Sequence, residues 1–379
     1  IAATAIVAVA EFLVVAVSAF AVRPPTDPAD RRGPTGGWTT LVSFGEPTAV
    51  DPLDADARAA VGMPEDEARA VAGCAIARLR SNGGDDASCT NLYAAGRPAV
   101  LGVGPEFVAR GGFTFTAHAA LPDGGADPWT LLERTGSGPV PAVLDQATAQ
   151  WALELGGVGS RFTVPDDADR PVECEIVGLL APGILQGAVI VSERRFERMF
   201  PGRSGYGMAL VDDAAVEPRL RGRARAGLAR AWADAGASFT PALDRLRSLM
   251  AVQNTFLAGF QALGTLGLLL GTAGVAAVQL QGVLERIGCL ALLRSIGFTP
   301  ARIRRLLVLE TLLPVGLGLA AGVLAGCLAV APALAGAEAG LPVRWIVATC
   351  GLTLVSAAVA GTIAASRAAI PERPGVSGA

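Results

Sequence analysis

Apolar positions along the chain gather into nearly charge-free runs at residues 1 to 22, about 254 to 281, about 306 to 335 and about 345 to 366. Each run supplies the roughly 20 residues that a spanning helix needs. The pattern therefore predicts a membrane protein with four transmembrane α-helices, the first two separated by a long polar segment. Residue 1 is Ile and no basic stretch precedes the first run, so the sequence is expected to begin inside a helix whose upstream part is missing. A cropped signal peptide is the alternative; the run is long for one, and Ala19-Phe20-Ala21 makes a poor small-residue cleavage site.

The polar segment, residues 24 to 240, reads as a mixed α+β extracytoplasmic domain inserted between helices 1 and 2. Residues 24 to 37 are rich in Pro, Gly, Asp and Arg without periodicity, the composition of a linker. Short β-like runs follow at Ala99 to Val103, Arg161 to Val164, Cys174 to Leu180, Ala188 to Val191 and Met208 to Val211. Turns such as Asp123-Gly124-Gly125 and Pro201-Gly202 interrupt them. Pro64 to Arg78 and Leu144 to Leu155 carry helical spacing. A segment of this length can fold around a core of its own.

From Thr240 the pattern changes. Thr240 can cap and Pro241 is a favoured first helical residue, after which nothing breaks the helix until about Gln281. At 1.5 Å per residue such a helix is roughly 60 Å long, twice what the hydrocarbon needs. Its first part, with Leu243, Leu246 and Met250 as an apolar stripe, is expected to project as a stalk. The alternative is a break near Gln253-Asn254 and an amphipathic helix lying on the membrane. The remaining divisions are a cytoplasmic connection at 282–304, helix 3 at 305–335, helix 4 at 344–367 and a cytoplasmic tail at 368–379.

Composition fits this division: 51% of the 379 residues are hydrophobic and 17% charged, with a mean hydropathy of +0.46. Net charge is −3 and all 31 basic residues are Arg, which suggests no nucleic-acid surface. Arg286, Arg294, Arg302, Arg304 and Arg305 lie between spans 2 and 3, against Arg344 alone between spans 3 and 4. The bias of basic loops toward the cytoplasm puts the first of these connections inside, the α+β domain outside, and the tail with Arg367 and Arg373 inside. Arg23, Arg31 and Arg32 oppose that orientation, but long domains cross regardless of charge. Cys289, Cys327 and Cys350 lie in or beside the apolar runs, where a thiol acts as a small hydrophobe. Cys74 and Cys89, with 14 residues between them, can form a disulfide if the domain faces an oxidising compartment, leaving Cys174 single.

The connection reads Leu284-Glu285-Arg286-Ile287-Gly288-Cys289-Leu290-Ala291-Leu292-Leu293-Arg294-Ser295-Ile296-Gly297-Phe298-Thr299-Pro300, then Ala301-Arg302-Ile303-Arg304-Arg305 and on through Glu310 into a Gly-rich helix. Glu285-Arg286, Leu293 to Gly297 and the early Glu310 resemble the FtsX-like permease domain of MacB-type ABC transporters over about 100 residues. Pro141 to Asp212, through Val143-Leu144-Asp145, Leu155-Gly156-Gly157-Val158-Gly159, Phe162-Thr163-Val164 and Glu175 to Leu180, is similar to the periplasmic core domain of the same transporters. Residues 38 to 140 match nothing in that pattern. The resemblance implies a permease subunit in the inner, cytoplasmic membrane that couples to an ABC-type ATPase and works with a second permease copy or half. Some relatives carry the ATPase fused at the N-terminus, and others a duplicated permease, whose second half a start inside a helix would fit.

Chemistry present and absent agrees. A P-loop needs a Lys to reach the phosphates, so a chain without Lys has no standard one, and ATP hydrolysis is expected in a separate partner. His118 is the single His, which offers no His-based metal cluster or relayed nucleophile; no cofactor, metal or catalytic residue is expected. A coupling element must be short, partly apolar and firmly attached. Leu290, Leu292, Leu293, Ile296 and Phe298 offer the apolar surface, Arg286 and Arg294 the pairing charges, with Glu285 and Gly297 completing the element. An interfacial helix held by anionic lipids is the alternative. Gly267 and Gly271, and Gly318, Gly322 and Gly326, space small residues for close helix packing within the bundle or between two permeases. Glu11 is an ionisable residue inside a span, a costly placement. Arg219, Arg221, Arg223, Arg225 and Arg230 read as a solvated helix face or a contact for lipid headgroups. Competing with transport are a membrane-anchored sensor and a scaffold for cell-wall enzymes.

Overall fold

The computed structural model describes residues 2–20, 29–83, 98–121, 127–136, 138–335 and 343–368. The chain divides into two compact units, one of Ile1–Val22 with Gln253–Ala379 and one of Arg23–Val252.

The second of these is a large mixed α/β unit. Its strands are β1 (Thr40–Thr48), β2 (Ala75–Asn82), β3 (Ala99–Val103), β4 (Phe115–His118), β5 (Val140–Asp145), β6 (Arg161–Pro165), β7 (Pro171–Leu180), β8 (Ala188–Ser192), β9 (Tyr206–Asp212) and β10 (Ser238–Pro241). Among the described residues they form one sheet in the order β10-β1-β9-β2-β3-β8-β5-β7-β4, with β6 paired to β7. β3–β8 and β5–β7 run parallel and the other pairs antiparallel. A short helix α2 (Ala55–Ala60) follows β1, and two cores back the sheet. Helices α3 (Glu65–Ala72) and α6 (Arg221–Ala231) cover Val42, Ile76, Ala209 and Val211 with Val71, Leu228 and the nearby Trp232, whose ring meets Phe44 edge-on at 5.1 Å. Helix α5 (Glu193–Met199) brings Phe196 onto Val100, Val189 and Val191, with Leu144 and Ile176 alongside. Each such aromatic contributes about 1.5–3 kcal/mol by burial.

The arginine run has a use neither expectation named. Arg223 pairs with Asp66 at 2.9 Å and Arg230 with Glu67 at 3.0 Å, tying α6 to α3, while Arg221 donates to the carbonyls of Val216 and Ala214. Arg219 pairs with Glu217 and Arg225 lies over the Phe239 ring. A second internal clamp centres on Arg110, at the end of α4 (Pro105–Arg110). Its guanidinium sits 3.7 Å over the Trp38 ring, donates to the carbonyls of Gly36 and Gly37, and meets Asp212 at 2.6 Å. That pins the turns preceding β1 to the end of β9. Cys174 is fully buried, and desolvation pushes its thiol up to about 12, so it is chemically inert at neutral pH. His118 is exposed at the end of β4.

Several sequence expectations are corrected. Helical spacing from Pro64 to Arg78 ends at Ala72, where Gly73 closes the helix; Ala75–Asn82 is instead an inner strand held between β9 and β3. In Leu144 to Leu155, Leu144 and Asp145 finish β5, and the helix is confined to residues 146–152, with Thr148–Ala152 as a π-helix. Asp145 forces the change of direction: its buried carboxylate accepts from the Thr148 N–H and hydroxyl and from the Gly187 N–H. Thr240 and Pro241 end β10 and do not begin the helix, because β1 captures them in register (Leu41↔Thr240, Thr40↔Pro241). The next residue, Ala242, then donates its N–H to the carbonyl of Thr39. The turn at Asp123-Gly124-Gly125 lies outside the described residues, and so does Cys89, the expected partner of the buried Cys74.

The other unit is helical. Helix α7 runs unbroken through Ala242–Glu285, α8 covers Ile287–Ser295, α9 Pro300–Ala335 and α10 Val343–Ala368. Among the described residues, three stretches are long and apolar enough to cross a membrane: Asn254–Glu285, Pro300–Ala331 and Ile346–Ile363. Helix α1 (Ala2–Phe20) is apolar over the shorter stretch Thr4–Ala19. In the first turns of α7 the buried side chains are Ala242, Leu246 and Met250, with Leu243 half-buried, so the stripe is centred one position from that expected.

The glycine faces are where α1 seats. A Cβ at Gly267 would stand 3.2 Å from Cβ of Ala10, and one at Gly271 3.3 Å from Ile6 and Val7. On α9, a Cβ at Gly318 would meet Val7 at 3.3 Å, one at Gly326 would meet Val15, and one at Gly322 would lie 2.9 Å from Cβ of Glu11 and 3.2 Å from the Phe12 nitrogen. Val7, Ala10 and Val14 of α1 join Leu268, Val275, Val315, Leu319 and Ala357 in a common core. Replacing Gly322 by Val is expected to cost about 1–3 kcal/mol by overpacking against backbone. Gly316→Val, on the same helix with nothing within 4 Å of its would-be Cβ, is expected to leave stability unchanged. Thermal unfolding of the detergent-solubilised chain checks both, and equal losses would refute this account of the contact.

Candidate functional site

Helix α8 and its flanks form the best-defined chemical surface outside the two cores. The turn that ends it follows from one residue. Ile296 is the C-cap; the N–H of Gly297 donates to the carbonyl of Arg294 at 3.0 Å, and that of Phe298 to Leu293 at 3.1 Å. This pair of bonds, six-to-one enclosing five-to-two, satisfies the last carbonyls of a helix and needs a left-handed residue just beyond the cap. Gly297 supplies it at φ 98°. Thr299 then accepts from the N–H groups of Arg302 and Ile303, and Pro300 opens α9, where its missing N–H costs nothing. The Leu-Arg-x-Ile-Gly pattern is thus a helix stop followed at once by a helix start.

Helix α8 has two faces. Leu290 packs beneath it with Val283 of α7 and Ile303 and Leu307 of α9, and Leu293 rests against the same cluster. Leu292, Ile296 and Phe298 point away and are 62%, 68% and 45% exposed. The five apolar residues expected to form one surface are therefore divided: two anchor the helix and three remain open. Arg294 is exposed beside those three and has no charge partner among the described residues. Arg286 differs from expectation, since it pairs with Glu310 of α9 at 3.2 Å. Glu285 accepts from Gln281 one turn earlier. So the Glu-Arg element and the early Glu of the third span, read in sequence as separate features, meet as an ion pair that ties the end of α7 to α9. Glu310 was legible as a motif position, but its role as the counter-ion of Arg286 was not.

Residues 262–372 match the FtsX-like permease C-terminal family. The match covers most of the apolar part of α7, all of α8 and α9, and α10, so the two-faced helix and its glycine stop lie inside the permease segment. It points to an ABC-transporter-type permease and to a membrane setting for these helices. Among curated proteins no match to the chain is found. Among the described residues no cluster of His, Cys, Asp and Glu is arranged to hold a metal ion.

Gly297→Val forces a β-branched residue into the left-handed region and is expected to cost at least about 1–2 kcal/mol. Gly288→Ala, inside α8 with open space around it, is expected to be neutral or slightly stabilising. Amide exchange over residues 290–300 should rise sharply in the first variant only.

Proposed function

We propose that this chain is the permease subunit of an ABC transporter that transmits the motion of a separate, ATP-hydrolysing partner to an extracytoplasmic domain. The observation that carries the reading is the match of residues 262–372 to the FtsX-like permease family, taken with the face of α8 that presents Leu292, Ile296, Phe298 and Arg294. In this reading α1 is the fourth span, and the α/β unit is the extracytoplasmic insertion between spans 1 and 2, related to the MacB-like periplasmic core. The chain sits in the inner membrane and acts beside a second permease copy or half. The apolar triad of α8 enters a groove of the ATPase and Arg294 pairs with an acidic group there. Leu290, Leu293 and the Arg286–Glu310 pair make α8 move as one body with α7 and α9, and α7 carries the displacement outward as a stalk. Substrate need not pass between the helices. A sensor or scaffold would use the same α/β unit without an ATPase, which makes partner stimulation the deciding measurement.

Arg294→Ala combined with Phe298→Ala removes the charge and one apolar anchor. A loss of roughly 2 kcal/mol or more of docking, about a thirtyfold weakening, is expected. Stimulated ATP hydrolysis by the reconstituted complex should collapse while membrane insertion is retained; unchanged stimulation would refute the docking role.

Orientation has an internal reporter. Cys289 is exposed on α8. A membrane-impermeant thiol reagent is expected to label it in inside-out vesicles and not in intact cells, and the reverse pattern would overturn the topology.

A further inference from the structure

Glu11 lies midway along α1, 0% exposed, where α1 meets α9 and α10. Its Oε1 is 3.0 Å from the Thr349 hydroxyl and 3.4 Å from the Cys350 thiol, both on α10, while Oε2 is buried with no hydrogen-bond partner. From α9 the carboxyl is backed by Gly322, which supplies no side chain. The surroundings hold no counter-ion: residues 254–284 of α7, 311–335 of α9 and 345–366 of α10 contain no Asp, Glu, Arg or His, and α1 has no second charge. Among the described residues, the titratable group facing Glu11 is the Cys350 thiol; Glu310 at the start of α9 pairs with Arg286, and Arg344 stands at the first turn of α10. A bare carboxylate here would be a buried charge that nothing compensates.

Thr349 is the nearer of the two neighbours on α10. Its oxygen lies 3.0 Å from Glu11 Oε1 and 3.1 Å from the carbonyl oxygen of Ile346. A hydroxyl carries one proton and can accept another. The Thr349 hydroxyl and the Cys350 thiol both donate to Oε1, so neutral donors alone meet the carboxyl while Oε2 stays buried without a partner, a setting that holds a neutral carboxylic acid at lower cost than a bare carboxylate. A metal cation does not suit the site. Hard cations take about six oxygens, whereas among the described residues Glu11 and Thr349 are the side-chain oxygens that meet here, between continuous helices.

We propose that Glu11 is a proton-binding site within the helical bundle, and that the proton it holds keeps the seam between α1 and α10 uncharged. Release of the proton leaves an unpaired charge between helices that otherwise pack dry, so occupancy controls how tightly α1 is seated.

The test needs only this chain in lipid, without a partner, so its failure and that of the coupling reading are separable. The infrared carboxylic-acid C=O stretch is recorded for the native chain and for Glu11→Gln, which keeps size and hydrogen bonding. A difference band present at neutral pH and lost on alkaline titration is expected, whereas an exposed glutamate is almost wholly ionised at neutral pH. Should Glu11→Gln fail to insert, the native chain with carbon-13 in its glutamates gives the same band by its isotope shift against the unlabelled chain. Only carboxylate bands at neutral pH, by either route, would overturn the proposal.

Discussion

Helices in a bilayer gain nothing from hiding apolar surface from water, because lipid is as apolar as leucine; they associate where their backbones can come close enough for dispersion and polar contacts to act. In this chain that closeness is concentrated on α1, seated between Gly267 and Gly271 of α7 and Gly318, Gly322 and Gly326 of α9. Everything else in the helical unit depends on this seating. It brings Glu11 to Thr349 and Cys350, and it leaves Leu268, Val275, Val315 and Leu319 to close around Val7, Ala10 and Val14. A methyl group at Gly322 would act on backbone, which cannot rotate aside as a side chain can.

At the other end of the same helices the requirement is reversed: an element must be held from below and open above. Helix α8 meets it through side-chain alternation, with Leu290 and Leu293 inward and Leu292 and Ile296 outward, and through Gly297, which ends the helix without using either face. The Arg286–Glu310 pair is exposed on both sides, so screening limits its strength and it serves to orient more than to stabilise. A firmly attached helix with a free apolar face is what a docking lever needs, which is why the proposed function rests on this element.

The sequence was legible where one period dominates a long stretch. The three long apolar runs and the continuous helix through Gln253 and Asn254 declared themselves, since 3.6-residue geometry with no intervening charge has few other readings. It was misleading where tertiary pairing decides. Ala75 to Arg78 carries helical spacing yet becomes a strand, because β9 pairs along it, β3 takes up the strand from Leu79 onward, and Gly73 has already stopped α3. Thr240-Pro241 has the chemistry of a helix start and is taken by β1. Arg286 was readable as a charge but not as one already spent, since Glu310 lies 24 residues away in sequence and two helices away in structure.

That capture of Thr240 and Pro241 fixes where force can reach the α/β unit. The chain arrives at β1 through Thr39 and Thr40 and leaves β10 at Pro241, and these positions are register partners on neighbouring strands at one edge of the sheet. Ala242 adds a bond back to Thr39, whose own N–H and hydroxyl donate to Val211 of β9. A displacement of the first turn of α7 therefore loads β10, β1 and β9 together, through hydrogen bonds that would have to break in parallel. Among the described residues, the opposite edge, built from β7, β4 and β6, is joined to these three through the strands between. Under the proposed coupling, a pull along α7 is taken up by β10, β1 and β9 before it reaches the strands beyond.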